Sequence, residues 1–162
     1  MNSPFATPRV LLLVEDNPAD VDFFRRAVAG MRLNLPLAIV SDGEQAIDYL
    51  AGQGQYADRQ LHPPPSLILL DLRLPRTSGL DVLRWIHQKE LAFPPPKIIV
   101  FTSSAKPDDL RQAQELGANA YILKPVSLGP LKQIVKGLGT LWQNPEASIH
   151  GALGWHIRPF PD

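Results

Sequence analysis

The sequence predicts an α/β fold in which five parallel strands form one doubly wound sheet with the strand order 2-1-3-4-5. Five short apolar runs recur along the first three quarters of the chain, and a segment with helical spacing follows each of them. The runs are continuous rather than alternating, as in strands that helices cover on both faces. Because crossovers between parallel strands are nearly always right-handed, five such units most simply form this arrangement.

The five strands are predicted at 10–14, 37–40, 67–70, 98–101 and 120–123. The first helix is predicted to begin at Asn17-Pro18, a capping residue followed by a proline suited to the first helical position, and to end at Gly30. The second helix covers about 44–50. The other three helices are indicated by apolar residues at helical spacing: Leu80, Leu83 and Ile86; Leu110, Ala113 and Leu116; and Leu128, Leu131, Ile134, Val135, Leu138 and Leu141.

The composition excludes several classes of function. Sixteen Lys and Arg residues balance sixteen Asp and Glu residues, so the chain lacks the positive charge that general nucleic-acid or anionic-membrane binding uses. The absence of cysteine excludes disulfides and thiolate zinc sites, and the four histidines show no metal-ligand spacing. No apolar run approaches the roughly 18 residues that a membrane-spanning helix needs. We therefore expect a cytoplasmic protein.

The length of 162 residues suits one domain with a short appendage. We expect the domain to cover 8–143, with an N-terminal extension at 1–7 and an aromatic C-terminal tail at 144–162. The tail is too short for a helix-turn-helix domain with its own core, which argues against a DNA-binding output domain. Trp155 and Phe160 of this tail suggest packing on the body of the protein or on a second protomer.

Acidic residues follow two of the predicted strands. Glu15 and Asp16 follow the first strand, and Asp71 follows the third. These strand ends meet at the crevice where the strand order reverses, so three carboxylates are expected to converge there. Like charges this close raise one another's pKa unless a cation neutralises them. Two carboxylates, one backbone carbonyl and several waters would suit Mg²⁺.

Thr102 follows the fourth strand and Lys124 the fifth, at the same edge. Carboxylates, a divalent ion, a hydroxyl and an ammonium together can receive a phosphoryl group, with Asp71 as the candidate nucleophile. Simpler interpretations stay open for single residues, because acids also stabilise helix N-termini and strand-end Thr and Lys are commonly surface residues. Asp71 is harder to dismiss, since an acid directly after four buried apolar residues is costly.

The sequence carries one polar motif at each of four strand ends: Glu15-Asp16, Asp71, Thr102 and Lys124-Pro125. This pattern resembles the receiver domain of two-component response regulators over about residues 8–143, and it implies the flavodoxin-like or CheY-like form of the doubly wound fold. The stretches 14–20, 133–137 and 141–142, together with the long loop before the third strand, resemble small receiver-only regulators that work with phytochrome-type histidine kinases.

The resemblance implies a signalling phosphoprotein that catalyses only its own phosphoryl transfer and slow autodephosphorylation, with Mg²⁺ or Mn²⁺ as cofactor and a sensor histidine kinase as phosphodonor. The implied site residues are Asp71 as phosphoacceptor; Glu15, Asp16, Asp71 and the backbone carbonyl of Arg73 as metal ligands; Thr102, Lys124 and Tyr121 as switch and phosphoryl contacts; Pro125 as a cis proline; and Arg73 and Ser104 as residues that tune the phosphoryl lifetime. For Tyr121, plain core packing is an equally good interpretation.

A homodimer through the fourth and fifth helices, the fifth strand and the tail is also expected, without nucleic acid or membrane as partner. Two alternatives fit less well. A phosphatase of the haloacid dehalogenase type would need a second Asp where Arg73 stands. A flavodoxin would bind phosphate in the loop after the first strand, where Glu15 and Asp16 repel it.

Overall fold

The structure is a computed structural model and describes residues 9–32, 34–104 and 106–162. Its strands are β1 (Val10–Val14), β2 (Leu37–Val40), β3 (Pro65–Leu70), β4 (Lys97–Thr102), β5 (Ala120–Leu123) and β6 (Ile157–Arg158). Its α-helices are α1 (Pro18–Ala29), α2 (Gly43–Ala51), α3 (Gly79–Gln88), α4 (Pro107–Glu115), α5 (Leu128–Gln143) and α6 (Ile149–Leu153). The predicted N-terminal extension at 1–7 lies outside the described residues.

The strands form one sheet in the order β2-β1-β3-β4-β5-β6. The first five are parallel, which confirms the predicted order 2-1-3-4-5. The sixth is an addition that the sequence did not predict. It pairs antiparallel with β5, with Ile157 opposite Ile122 and Arg158 opposite Tyr121.

Helices cover both faces of the sheet. Leu12 and Val14 of β1 face the side packed by α2, α3 and α4, whereas Leu11 and Leu13 face the side packed by α1 and α5. All five residues of β1 are buried, so no position on the strand is left for a polar side chain. This two-sided burial explains why the strands are continuous apolar runs. Among the helices of the described residues, none is both long and apolar enough to cross a bilayer.

Capping interactions fix where two helices begin. Asn17 Oδ1 accepts hydrogen bonds from the backbone N–H groups of Ala19 and Asp20 at the start of α1. At the start of α3, Ser78 and Asp81 form a reciprocal capping box. Both helices begin shortly after strand ends that carry acids, so the caps also hold the neighbouring acidic loops in place.

The C-terminal tail packs on the body of its own chain. Its helix α6 lies so close to α5 that a Cβ atom at Gly137 would be 2.4 Å from the carbonyl oxygen of Ala152. Leu153 is buried, and the ring of Phe160 packs against Tyr121 with 5.5 Å between ring centroids. Trp155, in contrast, is 73% exposed. Leu153 and Phe160 therefore pack against the body of the protein, whereas Trp155 faces solvent.

Candidate functional site

The backbone pairing of the sheet places two acids at the same edge. The N–H of Glu15 donates to the carbonyl of Val40, and the N–H of Asp71 donates to the carbonyl of Val14. The ladder thus continues one residue beyond β1 and β3. One carboxylate oxygen from each of Glu15, Asp16 and Asp71 lies within 4.8 Å of the other two. The predicted convergence of these three acids is present in the structure.

Glycine at position 79 lets α3 begin directly against the loop that carries Asp71. A Cβ atom at Gly79 would lie 2.3 Å from the carbonyl oxygen of Asp71 and 2.6 Å from the Cα of Leu72. The Gly79 N–H also donates to the carbonyl of Leu72. This close approach leaves no room for a side chain at position 79. It brings the start of α3 into direct contact with the backbone of the Asp71 loop, which the helix therefore supports.

Lys124, directly after β5, joins three carboxylates. Its Nζ lies 2.5 Å from Glu15 Oε2, 2.8 Å from Asp71 Oδ2 and 3.0 Å from Asp20 Oδ2. Its backbone N–H donates to the carbonyl of Thr102, which fixes the start of the side chain beside β4. The ammonium is therefore the cation that the described residues place within the acidic cluster.

The charges of this cluster do not balance. The carboxylates of Glu15, Asp16, Asp20 and Asp71 accompany the single ammonium of Lys124. Burial raises the pKa of Glu15, the charge of Asp71 raises it further, and hydrogen bonds from Lys124 and the Asn17 N–H oppose the rise. For Lys124, burial alone would lower the pKa, but its hydrogen bonds to Asp71 and Glu15 outweigh burial and raise it. A negative cluster of oxygen ligands suits a hard divalent cation.

A chain of hydrogen bonds connects Asp71 with the loop after β4. The N–H of Arg73 donates to Asp71 Oδ1, and the Arg73 guanidinium donates to Ser104 Oγ at 3.2 Å. Thr102 is fully buried, and its hydroxyl donates to the carbonyl of Ser104 at 3.0 Å. The side chains of Arg73 and Ser104 therefore bridge the loops after β3 and β4 next to Asp71.

Tyr121 and Pro125 lie in and just after β5, on either side of Lys124. Tyr121 is buried and packs against Phe160 of the tail, a contact that the sequence did not predict. The cis form predicted for the bond between Lys124 and Pro125 is wrong, because no peptide bond of the described residues is cis. The trans form is intrinsically preferred before proline by about 0.5–1 kcal/mol. With this bond trans, Lys124 already contacts all three of its acids.

Asp20 is the member of the cluster that the sequence analysis missed. It lies in the first turn of α1, four residues after Asp16. An acid one helical turn beyond an acidic strand end was the available signal, because the first turn of α1 starts at that edge of the sheet. Asp20 lines a cavity of about 590 Å³ together with Asp22, Lys124 and Val126.

Another cavity, of about 840 Å³, lies near the start of β1, β3 and β4. It is lined by Arg9, Arg59, Trp85 and Phe93, among others, and includes none of the clustered acids. The carboxyl ends of the strands are therefore the candidate site, in spite of their smaller cavity, because the unbalanced charges are there.

The sequence is similar to a known protein family and to characterised regulatory proteins. The sequence model of the response regulator receiver domain family matches residues 11–136. Response regulator Rcp1 of Synechocystis is 36% identical over 135 residues, which cover 83% of this chain and 89% of Rcp1. The probable methanogenesis regulatory protein FilR2 of Methanothrix harundinacea is 35% identical over 154 residues, which cover 95% of this chain and 90% of FilR2.

Solved structures are similar as well. The phosphorylated cyanobacterial phytochrome response regulator RcpA superimposes with a TM-score of 0.74 at 34% identity, covering 86% of this chain and 96% of RcpA. The Mn²⁺-bound form of Rcp1 superimposes with a TM-score of 0.70 at 34% identity, covering 86% of this chain and 98% of Rcp1.

Proposed function

Because this chain belongs to the response regulator receiver domain family, we propose that it accepts a phosphoryl group on Asp71 from a sensor histidine kinase in the cytoplasm. The receiver domain covers 8–143 in this proposal, and the tail at 144–162 is part of its signalling surface. The observation that carries the proposal is the convergence of Glu15, Asp16 and Asp71 within 4.8 Å, with Lys124 bonded to Asp71.

In the proposed reaction, an Asp71 carboxylate oxygen attacks the phosphorus of a phosphohistidine. The phosphorus–nitrogen bond breaks, and the imidazole leaves with the electron pair. Lys124 donates to the phosphoryl oxygens, and the Thr102 hydroxyl turns from Ser104 toward them. Catalysis is confined to this transfer and to slow hydrolysis of the aspartyl phosphate.

The acidic cluster fits a divalent cation, as its unbalanced charge and its oxygen donors indicate. Glu15, Asp16, Asp71 and the backbone carbonyl of Arg73 would hold Mg²⁺ or Mn²⁺. The bound ion supplies positive charge that offsets the phosphoryl oxygens during transfer. The solved Mn²⁺-bound form of Rcp1 supports this assignment by similarity.

The test is phosphorylation by acetyl phosphate, a small donor that needs no kinase. We expect the intact mass of the wild-type protein to increase by one phosphoryl group in the presence of Mg²⁺. With EDTA in place of Mg²⁺, the increase should fall to the background of the assay. A protein that gains no mass with Mg²⁺, or gains the same mass with EDTA, would contradict the proposal.

We further propose a phytochrome-type histidine kinase as the phosphodonor, which would place the protein in a light-sensing pathway. The similarity to RcpA, a phytochrome response regulator, supports this partner. An autophosphorylated phytochrome-type kinase from the same organism should transfer its label to the wild-type protein. Labelling by kinases of other sensor classes alone would contradict this choice.

Arg73 is expected to lengthen the life of the phosphoryl group, because its guanidinium bridges to Ser104 beside Asp71 and hinders the attacking water. In Arg73→Asn, we expect hydrolysis to become roughly five- to tenfold faster, about 1–1.4 kcal/mol in the barrier. The measurement is the decay of the phosphorylated mass after the donor is removed. Arg76→Asn is the matched control in the same loop, because Arg76 pairs with Asp42 instead and Asn tolerates its positive φ. Equal decay of wild type and Arg73→Asn would contradict the role.

Association of two copies through α4, β5, α5 and the tail is also part of the proposal. The exposed ring of Trp155, in a tail that packs on α5 and β5, supports it, since aromatic residues are enriched at interfaces. We expect light scattering to report dimers at tens of micromolar and Trp155→Ser to shift them toward monomer. Leu61→Ser is the control, because Leu61 is 74% exposed in the loop between α2 and β3, away from this surface. A monomeric wild type, or equal effects of both substitutions, would contradict this interface.

A further inference from the structure

The ammonium of Lys124 lies among three carboxylates, and it donates hydrogen bonds to two of them, Asp20 and Asp71. An ammonium carries three N–H bonds. Glu15, Asp71 and Asp20 each have a carboxylate oxygen within 3.0 Å of Lys124 Nζ. A phosphoryl group on Asp71 adds oxygens that need donors from the same ammonium. The phosphoryl oxygens therefore compete with the present carboxylates for the N–H bonds of Lys124.

The exposure of the three carboxylates indicates which contact is given up. The side chains of Glu15 and Asp71 are 2% and 8% exposed, whereas that of Asp20 is 41% exposed. A buried carboxylate that loses its partner keeps a large desolvation cost, but an exposed one regains hydrogen bonds from water. Asp20 also makes the longest of the three contacts, at 3.0 Å.

Asp20 is also on the side from which solvent and a phosphodonor can enter. Asp20 and Lys124 both line the cavity of about 590 Å³ between α1 and the loop after β5. When Asp20 releases Lys124, its carboxylate can turn into this cavity without disturbing the core.

We propose that Asp20 is a positioning residue that accepts one N–H of Lys124 in the unphosphorylated protein and releases it to the phosphoryl group on Asp71. This inference rests on the proposed function and adds a residue to it. Asp20 and the phosphoryl oxygens compete for one cation. The negative charge of Asp20 therefore slows the phosphorylation of Asp71.

The experiment compares rates of phosphorylation by acetyl phosphate at saturating Mg²⁺. An Asp71 oxygen attacks the phosphorus, the bond between phosphorus and the acetate oxygen breaks, and acetate leaves with the electron pair. We expect Asp20→Asn to raise the rate constant by about three- to tenfold, a barrier change of about 0.7–1.4 kcal/mol. Intact mass against time gives the rate constant.

Asp22→Asn is the matched control. Asp22 lies on the same helix and lines the same cavity, but none of the described ion pairs joins it to Lys124. This substitution removes the same charge without freeing a donor, so its rate should stay within about twofold of wild type. Asp20→Glu is the conservative variant: it keeps the charge on a longer side chain, and its rate should return toward that of wild type.

The outcomes separate this inference from the proposed function. If wild type gains no phosphoryl mass at all, the proposed function fails and this inference fails with it. If wild type is phosphorylated but Asp20→Asn is no faster, only the role of Asp20 is overturned. Equal acceleration in Asp22→Asn, or in Asp20→Glu, would also overturn it, because a general charge effect or a structural effect would then explain the rate.

Discussion

Asp71→Asn is expected to gain no phosphoryl mass from acetyl phosphate at any Mg²⁺ concentration. An amide has the size of the carboxylate but lacks the nucleophilic oxygen that, in the proposed reaction, forms the acyl phosphate. The Asp71 carboxylate is 8% exposed and lies between the Arg73 N–H and Lys124 Nζ, where an amide still finds a donor for its oxygen. We therefore expect the variant to fold, and far-ultraviolet circular dichroism checks this.

Asp16→Asn separates the role of nucleophile from the role of metal ligand. Asp16 is exposed and belongs to the cluster of three acids, but none of the described ion pairs joins it to Lys124. Its amide variant should be phosphorylated slowly at low Mg²⁺ and should recover as Mg²⁺ is raised. Phosphorylation of Asp71→Asn, or a failure of Asp16→Asn to respond to Mg²⁺, would contradict these assignments.

Lys124→Met is expected to lower the free energy of unfolding by about 3–5 kcal/mol when measured in EDTA. Methionine keeps the apolar stem but removes the charge, and loss of one partner from a buried ion pair has this order of cost. Glu15 and Asp71 would then be buried next to each other without a cation. Urea denaturation followed by circular dichroism gives the free energy.

Mg²⁺ should restore more stability to Lys124→Met than it adds to the wild type, since the ion then becomes the only counter-charge in the cluster. A ligand that binds only the folded state stabilises it by RT ln(1 + [L]/Kd), so tighter binding of Mg²⁺ gives a larger gain in stability. Lys136→Met is the control, because Lys136 is exposed on α5 and should change stability by no more than about 0.5 kcal/mol. Equal losses in the two variants, or no extra response to Mg²⁺, would contradict the prediction.

The strands and the site edge were predictable because both follow from local sequence. A run such as 67–70 is apolar at every position because helices cover both of its faces, and this pattern needs no knowledge of the partners. The chain order of the strands then places the residues after β1 and β3 side by side. For Glu15, Asp16 and Asp71, strand order alone was sufficient.

Asp20 and Pro125 show where local sequence stops being informative. The spacing of Asp20 from Asp16 could have placed it at the site edge, but its contact with Lys124 joins residues 104 positions apart and depends on the direction of two side chains. The cis form of Pro125 was an inference from resemblance, and the isomer of a single peptide bond depends on its tertiary surroundings.

The tail was the least predictable part of the chain. Helix α6 has five residues and β6 has two. Segments this short do not show the periodicity of apolar residues by which helices and strands are recognised in a sequence. Its place depends on features elsewhere: the missing side chain at Gly137 and the open side of β5. Phe160 contacts Tyr121 only because this pairing brings the end of the tail over β5.

With two residues, β6 forms a shorter edge strand than the four-residue β5 would form without it. An exposed edge strand can pair with strands of other protein chains, and a short edge strand is one way in which proteins prevent this aggregation. Ile157 and Arg158 already use the backbone opposite Tyr121 and Ile122. A polypeptide that pairs with β5 at these residues must therefore first displace β6.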